Sequence, residues 1–336
     1  MRKILLGFTV LLVICVGAYV RLHHRKPRLE VAYAGNRQVT LWSTTAQVRE
    51  PVAVASFGDR FEVVQRFQDQ VEVRTERGIT GWVSERDLLS ADMWQRAKDL
   101  EVKAAAMPVE ARGHTRVLTN LHLEPGRDTP RLRQLNKGLL VDFLARETAG
   151  VPAAHTAGAD EENAGEPAQA KREDWWLVRA RIADQSALSG WLLARFVELD
   201  VPSPLPDYAS SAGMRIVAWF ELNRVTDAGG ADHAQYLLVG THGPEGQPCD
   251  FTLQRVYTWG AKKQRYETAF VENNICGMLP VKLTRAQASK AGPEVNFEFR
   301  DISKGKAEER VYRMYQTVVR RVKESGATAP RKKPHL

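Results

Sequence analysis

One short pattern occurs twice in this 336-residue chain, and it restricts the possible folds more than any other feature. In the first copy, Val39-Thr40-Leu41-Trp42 opens the block and Gly58-Asp59 precedes Phe61-Glu62-Val63-Val64. Val71-Glu72-Val73 then alternates cleanly, and Gly81-Trp82-Val83 follows a turn at Arg77-Gly78. In the second, Val117 to Leu121 opens, Gly138 precedes Leu139-Leu140-Val141, Trp176-Leu177-Val178 forms the middle, and Gly190-Trp191-Leu192 closes. Period-2 alternation between turn residues is the signature of half-buried antiparallel strands. Gly58 to Gly81 is 23 residues and Gly138 to Gly190 is 52. Of the excess of 29 residues, 25 fall between Gly138 and Val178, since Gly58 to Val73 spans 15 residues and Gly138 to Val178 spans 40. That stretch, Glu147 through Asp174, is rich in Ala, Gly, Glu and Pro and is expected to be a disordered insertion at a hairpin tip. A repeat interrupted by one segment of distinct composition is stronger evidence than either copy alone.

These residues resemble bacterial SH3 domains. The resemblance rests on the opening strand, the Gly before alternating valines, Gly81-Trp82-Val83-Ser84 and Asp174-Trp175-Trp176-Leu177-Val178-Arg179 with Gly190-Trp191-Leu192. It implies two small SH3-like barrels, at 38–90 and 114–199, together about two fifths of the chain. The family's opening Leu-Asn-Val-Arg-x-Gly-Pro is kept partly in Leu121-His122-Leu123-Glu124-Pro125-Gly126 and departs at Leu41-Trp42-Ser43. The first copy also lacks a middle-strand tryptophan.

Ahead of the repeat, Arg2 and Lys3 precede an apolar run from Ile4 to Val20. Seventeen residues is the lower bound for a span and long for a signal-peptide core. Arg21, Arg25, Lys26 and Arg28 follow at once and disfavour cleavage after Ala18, while Ile14 before Cys15 departs from lipoprotein signals. The expected order is an uncleaved transmembrane anchor over 4–20, then a cleaved signal, then a lipoprotein. The basic flank would place the body in the cytoplasm; the resemblance to exported modules implies the periplasmic or outer face instead. Orientation stays open.

Between the copies, Ser90 caps an expected helix from Ala91 towards Met107, with Met93, Ala97, Leu100 and Ala104 at helical spacing; it reads as a connector over 91–113. Pro202, Pro204 and Pro206 mark a linker over 200–213. A C-terminal antiparallel β domain is expected over 214–324, followed by a basic tail. Its strands include 214–222, 236–239, 251–257 and 266–271, with a turn at Trp259-Gly260 and alternation at Val295, Phe297 and Phe299. The segment from Val311 to Val322 fits a helix stripe, yet its valines and the Lys304-Gly305-Lys306 turn favour a strand. No family resemblance covers this domain. The fold class is therefore mainly β.

Chemistry is sparse. Three cysteines rule out a disulfide scaffold. Cys249 and Cys276 lie at strand edges about 27 residues apart. If exported they pair, contributing roughly 3–4 kcal/mol by loop entropy; in the cytosol they are buried thiols. Neither reads as a nucleophile, because cell-wall peptidases bearing such modules use Cys with a downstream His pair, and only His335 follows. The histidines His23, His24, His114, His122, His155, His233 and His242 show no helical i, i+4 metal spacing with a carboxylate. Gly240, Gly243 and Gly246 lack a phosphate-loop Lys-Ser/Thr, and Asp160-Glu161-Glu162 reads as a solvating charge run. No cofactor or metal is expected.

Trp82 and Trp191 are expected to pack in the cores, while Trp42 and Trp175, at alternating positions that face outward, are the candidates for stacking on a sugar ring or peptide. The resulting expectation is a non-catalytic binding or scaffold protein of the cell envelope with peptidoglycan or a protein as partner, as the resemblance implies. The alternative is an enzyme or ligand sensor acting through the C-terminal domain, the modules serving for targeting. The net charge of +8 does not argue for a polyanion partner. Residues 1–28 hold six basic residues and no acid, and Arg331, Lys332 and Lys333 lie in the tail, so residues 29–330 carry 39 basic against 40 acidic residues. The nucleic-acid reading thereby loses its support.

Overall fold

The computed structural model describes residues 30–152, 171–182, 187–289 and 292–322. The expected membrane segment at 4–20 and the basic tail lie outside them. Among the described residues no helix is long and apolar enough to cross a membrane. The chain divides into two compact units, 1–95 and 96–336, and is mainly β as expected.

The first unit holds one seven-stranded antiparallel sheet. Its strands are β1 (Val31–Ala34), β2 (Gln38–Trp42), β3 (Pro51–Ser56), β4 (Arg60–Phe67), β5 (Gln70–Thr75), β6 (Thr80–Ser84) and β7 (Leu88–Ser90), in the order β3-β2-β6-β5-β4-β1-β7. One face buries Leu41, Phe61, Val63, Val71, Val73 and Val83; each such side chain contributes about 1.5–3 kcal/mol by leaving water. Two differences from expectation stand out. The sheet begins at Val31, upstream of residue 38, because Ala32 and Ala34 alternate inward into the core and β1 as a whole pairs with β4 on one side and β7 on the other. It also ends at β3 and β7 instead of closing by backbone pairing, since β3 is ladder-bonded to β2 alone.

The second unit opens with the same design. The strands β8 (Ala111–Thr115), β9 (Thr119–His122), β10 (Arg131–Leu135), β11 (Leu140–Gly150), β12 (Arg172–Ala180), β13 (Leu188–Leu193) and β14 (Val197–Leu199) run in the order β10-β9-β13-β12-β11-β8-β14. That is the first order with every strand advanced by seven. The match extends to irregularities. The β2–β3 ladder skips Val52 and the β9–β10 ladder skips Leu132; the β4–β5 ladder skips Val64 and the β11–β12 ladder skips Leu144. Gly58 and Gly138 both adopt positive φ, and their N–H groups donate to Ala34 and Thr115 carbonyls at 2.9 and 2.8 Å. At Gly81 an added Cβ would meet Val52 at 2.8 Å and Leu41 at 2.9 Å; at Gly190 it would meet Leu121 at 2.5 Å. Only glycine permits this crossing of β2 by β6, and of β9 by β13.

The expected insertion is shorter than read. Residues 147–150 continue β11 and 172–174 begin β12, paired out to Gly150 opposite Arg172; only 153–170 fall outside the described residues. The polar composition misleads there because Glu173 and Asp174 are buried as ion-pair partners, not as apolar core.

Helix α1 (Ala91–Ala105) links the sheets. Ser90 Oγ accepts the Met93 N–H at 3.1 Å, which caps the first turn. In the first unit, Trp94 stacks on Tyr33 with centroids 4.9 Å apart. In the second unit, Ala97 packs with Leu123 and Leu132, and Leu100, Ala104 and Met107 cover Leu144, Trp175, Leu177, Trp191 and Leu193.

The proline-marked linker contains a short helix, α2 (Leu205–Ser211), whose Leu205 and Ala209 pack on Met214, Leu238, Leu253 and Tyr257. Beyond it β15 (Arg215–Thr226), β16 (Asp232–Thr241), β17 (Phe251–Gly260), β18 (Arg265–Ser289), β19 (Gly292–Asp301), β20 (Glu308–Tyr315) and β21 (Val318–Val322) pair in sequence order as a meander. Trp259 faces Tyr266 across the hairpin, with centroids 5.4 Å apart. The ambiguous last segment is strand: β20 and β21 form a hairpin in which Gln316 takes φ 52°. Arg285 on β18 donates to the Glu221 carbonyl at 3.0 Å, tying the late meander back to β15 around Phe297, Phe299 and Tyr312, all essentially buried.

Candidate functional site

The pairing registers fix which residues of the two modules correspond. Val73 faces Gly81 as Val178 faces Gly190, and Trp42 faces Trp82 as His122 faces Trp191. Trp42 is thus the counterpart of His122, and Gln70 of Trp175. Trp42 is half-buried, with the Arg49 guanidinium 4.4 Å above its ring. Trp175 does not face solvent as expected: it is only 2% exposed. The cause is α1, which lies over the outward face of the second module and makes it a second core surface. Alternation along a strand identifies the two faces but not which of them a helix covers.

Trp175 nevertheless stands at the floor of a groove of about 610 Å³. Asn120 and His122 of β9, the 127–131 loop, and Leu193, Arg195 and Phe196 form its walls. The loop is preset from within. Thr129 Oγ1 donates towards the Glu124 and Gly126 carbonyls (2.8 and 2.7 Å), and the Leu123 N–H donates to the Pro130 carbonyl at 2.9 Å. His122 Nδ1 lies 3.0 Å from Thr129 Oγ1, and its ring meets Trp175 edge-on at 5.2 Å. Burial lowers the His122 pKa, so the imidazole favours its neutral form.

Glu173, buried beneath the groove, orders two of its three arginines. Arg127 donates to it through Nε and Nη2 at 2.8 and 2.5 Å, and Arg195 Nη1 lies 3.0 Å away. The Arg127 bond holds the Glu173 carboxyl below its usual range. A forked guanidinium fixed on one edge keeps its remaining donors oriented. Arg131 is exposed at the rim and forms no ion pair among the described residues. The walls thus combine three cations with Asp128 and the internal Glu173, an arrangement suited to a carboxylate-bearing ligand.

A second cluster joins the second module to the meander. Arg146 of β11 is 4% exposed and donates to Asp174 Oδ1 at 2.6 Å, Asp250 Oδ1 at 3.1 Å and the carbonyls of Gln247 and Cys249 at 2.9 and 3.1 Å. Arg215 approaches Asp174 Oδ2 at 3.4 Å, and the Gly246 N–H donates to Asp174 at 2.7 Å. Cys249 and Cys276 are joined, with Cα atoms 4.9 Å apart, and the bond holds the loop that presents these carbonyls. Glu110, also buried, accepts the Val281 N–H at 3.1 Å. Burial raises its pKa to about 7 and raises that of Asp250 as well.

Sequence reading missed Arg127, Glu173 and Arg195 in the groove and Glu110, Arg146, Asp174 and Asp250 in the cluster. Partners in the cluster lie 28 and 104 residues apart, so no local pattern marks them. Among the described residues no group of His, Cys, Asp and Glu is arranged to hold a metal ion.

No family model and no curated protein matches this chain. Among solved structures, NlpC2 from Trichomonas vaginalis is 10% identical, with 88% of this chain and 97% of that one covered at a TM-score of 0.18. An NlpC/P60 family protein from Bacillus cereus is 12% identical, covering 73% of this chain and 99% of that one at 0.21. NlpC1 from Trichomonas vaginalis is 10% identical over 87% and 89%, at 0.18.

Proposed function

We propose that this chain is a non-catalytic binding or scaffold protein of the cell envelope. Residues 4–20 anchor it, and its SH3-like modules hold peptidoglycan or an envelope protein. The observation that carries the reading is the arginine-lined groove of the second module, whose guanidiniums are oriented by the buried Glu173. Peptidoglycan stem peptides end in carboxylates, which fork-shaped guanidiniums bind in two-point contacts. The Cys249–Cys276 bond supports a compartment outside the cytosol, where disulfides persist. The test is co-sedimentation of the purified protein with isolated cell-wall sacculi. Retention is the expected result. No retention, together with a small molecule carried by the meander, would replace this reading by that of a ligand sensor or enzyme.

A further inference from the structure

Where the second module meets the meander, a pocket of about 330 Å³ lies beside the groove. Its floor is apolar. Phe143 and Trp176 meet edge-on with centroids 5.3 Å apart, and Val197 and Val217 complete it, all four buried. Its mouth is charged: Arg116, Arg195, Arg215 and Glu245 line it, and all are exposed. Arg195 also stands in the wall of the groove, so the single turn Ala194–Phe196 separates the two sites.

One buried carboxylate presets two of these groups. Asp174 Oδ2 holds Arg215 Nη1 at 3.4 Å, while Asp174 Oδ1 accepts the N–H of Gly246, next in sequence to Glu245, at 2.7 Å. Arg146 grips the same loop through the Gln247 carbonyl at 2.9 Å. The Arg116 N–H donates to the Phe196 carbonyl at 2.8 Å, and among the described residues its guanidinium meets Glu198 alone, at 3.6 Å. A guanidinium is a fork of several N–H donors, so Arg116 and Arg215 keep most of theirs for a ligand. Glu245 forms no hydrogen bond or ion pair among the described residues. We propose that this pocket binds the zwitterionic α-amino carboxylate head of an amino acid together with its apolar body. Arg116 and Arg215 take the carboxylate, Glu245 the ammonium, and the Phe143–Trp176 floor the apolar body. A plain anion would leave Glu245 facing it and a plain cation would meet the guanidiniums, whereas a head bearing both charges satisfies both. Two sources carry such a head: a free amino acid, and a cell-wall peptide whose side chain ends in an α-amino carboxylate. The site lies outside the carboxylate groove and gives the meander a direct part in binding.

The probe is L-leucine, titrated calorimetrically into the full-length protein. Saturable binding is expected. N-acetyl-L-leucine, which lacks the ammonium, and L-leucinamide, which lacks the carboxylate, should each bind about tenfold more weakly. Arg116→Gln and Glu245→Gln should each weaken leucine binding about tenfold. Glu245→Gln should also narrow the preference for leucine over N-acetyl-L-leucine, a change that a merely structural defect would not produce. Both residues are exposed, and an unchanged Tm checks that the fold persists. Arg131→Glu, which alters the groove alone, should leave leucine binding as it is, so failure of the groove and failure of the pocket read out separately. If leucine does not bind, but soluble peptide-bearing cell-wall fragments do and lose about tenfold on Glu245→Gln, the head is borne on the peptide. Leucine binding indifferent to both substitutions would overturn the proposal. So would the absence of any effect of Glu245→Gln on leucine and on the fragments alike, whether they bind or not.

Discussion

Replacing Glu110 by Gln is expected to raise the stability of the second unit at neutral and alkaline pH and to leave it nearly unchanged in acid. Glu110 is buried, and among the described residues its one hydrogen-bond donor is the Val281 N–H. Its ionised form therefore loses most of its hydration without gaining a cation. Burial moves its pKa from 4.5 to about 7. The sign follows from linkage. Below pH 4.5 both folded and unfolded chains carry the proton and the group is neutral in its effect on pH dependence. Between 4.5 and 7 the unfolded chain releases the proton while the folded chain keeps it, so stability falls as pH rises. Above 7 both are ionised and the loss is complete. At about 1.4 kcal/mol per unit, a shift from 4.5 to about 7 amounts to about 3 kcal/mol. Asp250, whose pKa is also raised by burial, adds in the same direction. Glutamine retains an acceptor for the Val281 N–H and cannot ionise. Urea unfolding followed by tryptophan fluorescence at half-unit steps from pH 4 to pH 9 measures the effect. The wild-type midpoint should fall between pH 4.5 and 7 and then level, with the Glu110→Gln curve markedly flatter. Parallel curves, or a variant less stable than wild type at pH 8, would refute the burial argument.

Three further outcomes follow from the same packing. Arg146→Met removes the one guanidinium shared by Asp174 and Asp250 and should cost about 3–5 kcal/mol in chemical unfolding, because both carboxylates stay buried. Trp175→Ala should cost about 3–5 kcal/mol, whereas Trp42→Ala should stay within about 1 kcal/mol, since only the former fills a core under α1; equal Tm losses would contradict the two environments. Gly190→Ala should lower Tm through the clash of its Cβ with Leu121 at 2.5 Å, while Gly150→Ala, with open space around it, should not.

Strand periodicity exposed most of the architecture, because alternation is a local property that survives in Val71-Glu72-Val73 as readily as in Val295, Phe297 and Phe299. The repeat was legible for the same reason, down to the glycines that the β2–β6 and β9–β13 crossings require. What stayed hidden depends on elements distant in sequence. Trp175 looked outward until α1 covered it, and Asp174 looked like the end of a solvated insertion until Arg146, Arg215 and the Gly246 N–H surrounded it. The groove was missed because its arginines are scattered across a loop and a turn, joined only through Glu173. Composition can mark a buried apolar residue, but not a buried charge whose partner is far along the chain.

The most direct test of the binding account is the affinity of the full-length protein for soluble, peptide-bearing cell-wall fragments, compared with that of its Arg131→Glu variant. Arg131 is exposed at the groove rim and forms no ion pair among the described residues, so reversing its charge leaves the fold intact. The account predicts saturable binding that weakens about tenfold in the variant at unchanged Tm and declines with added salt. Equal affinity for both proteins, or no binding by either, would contradict it.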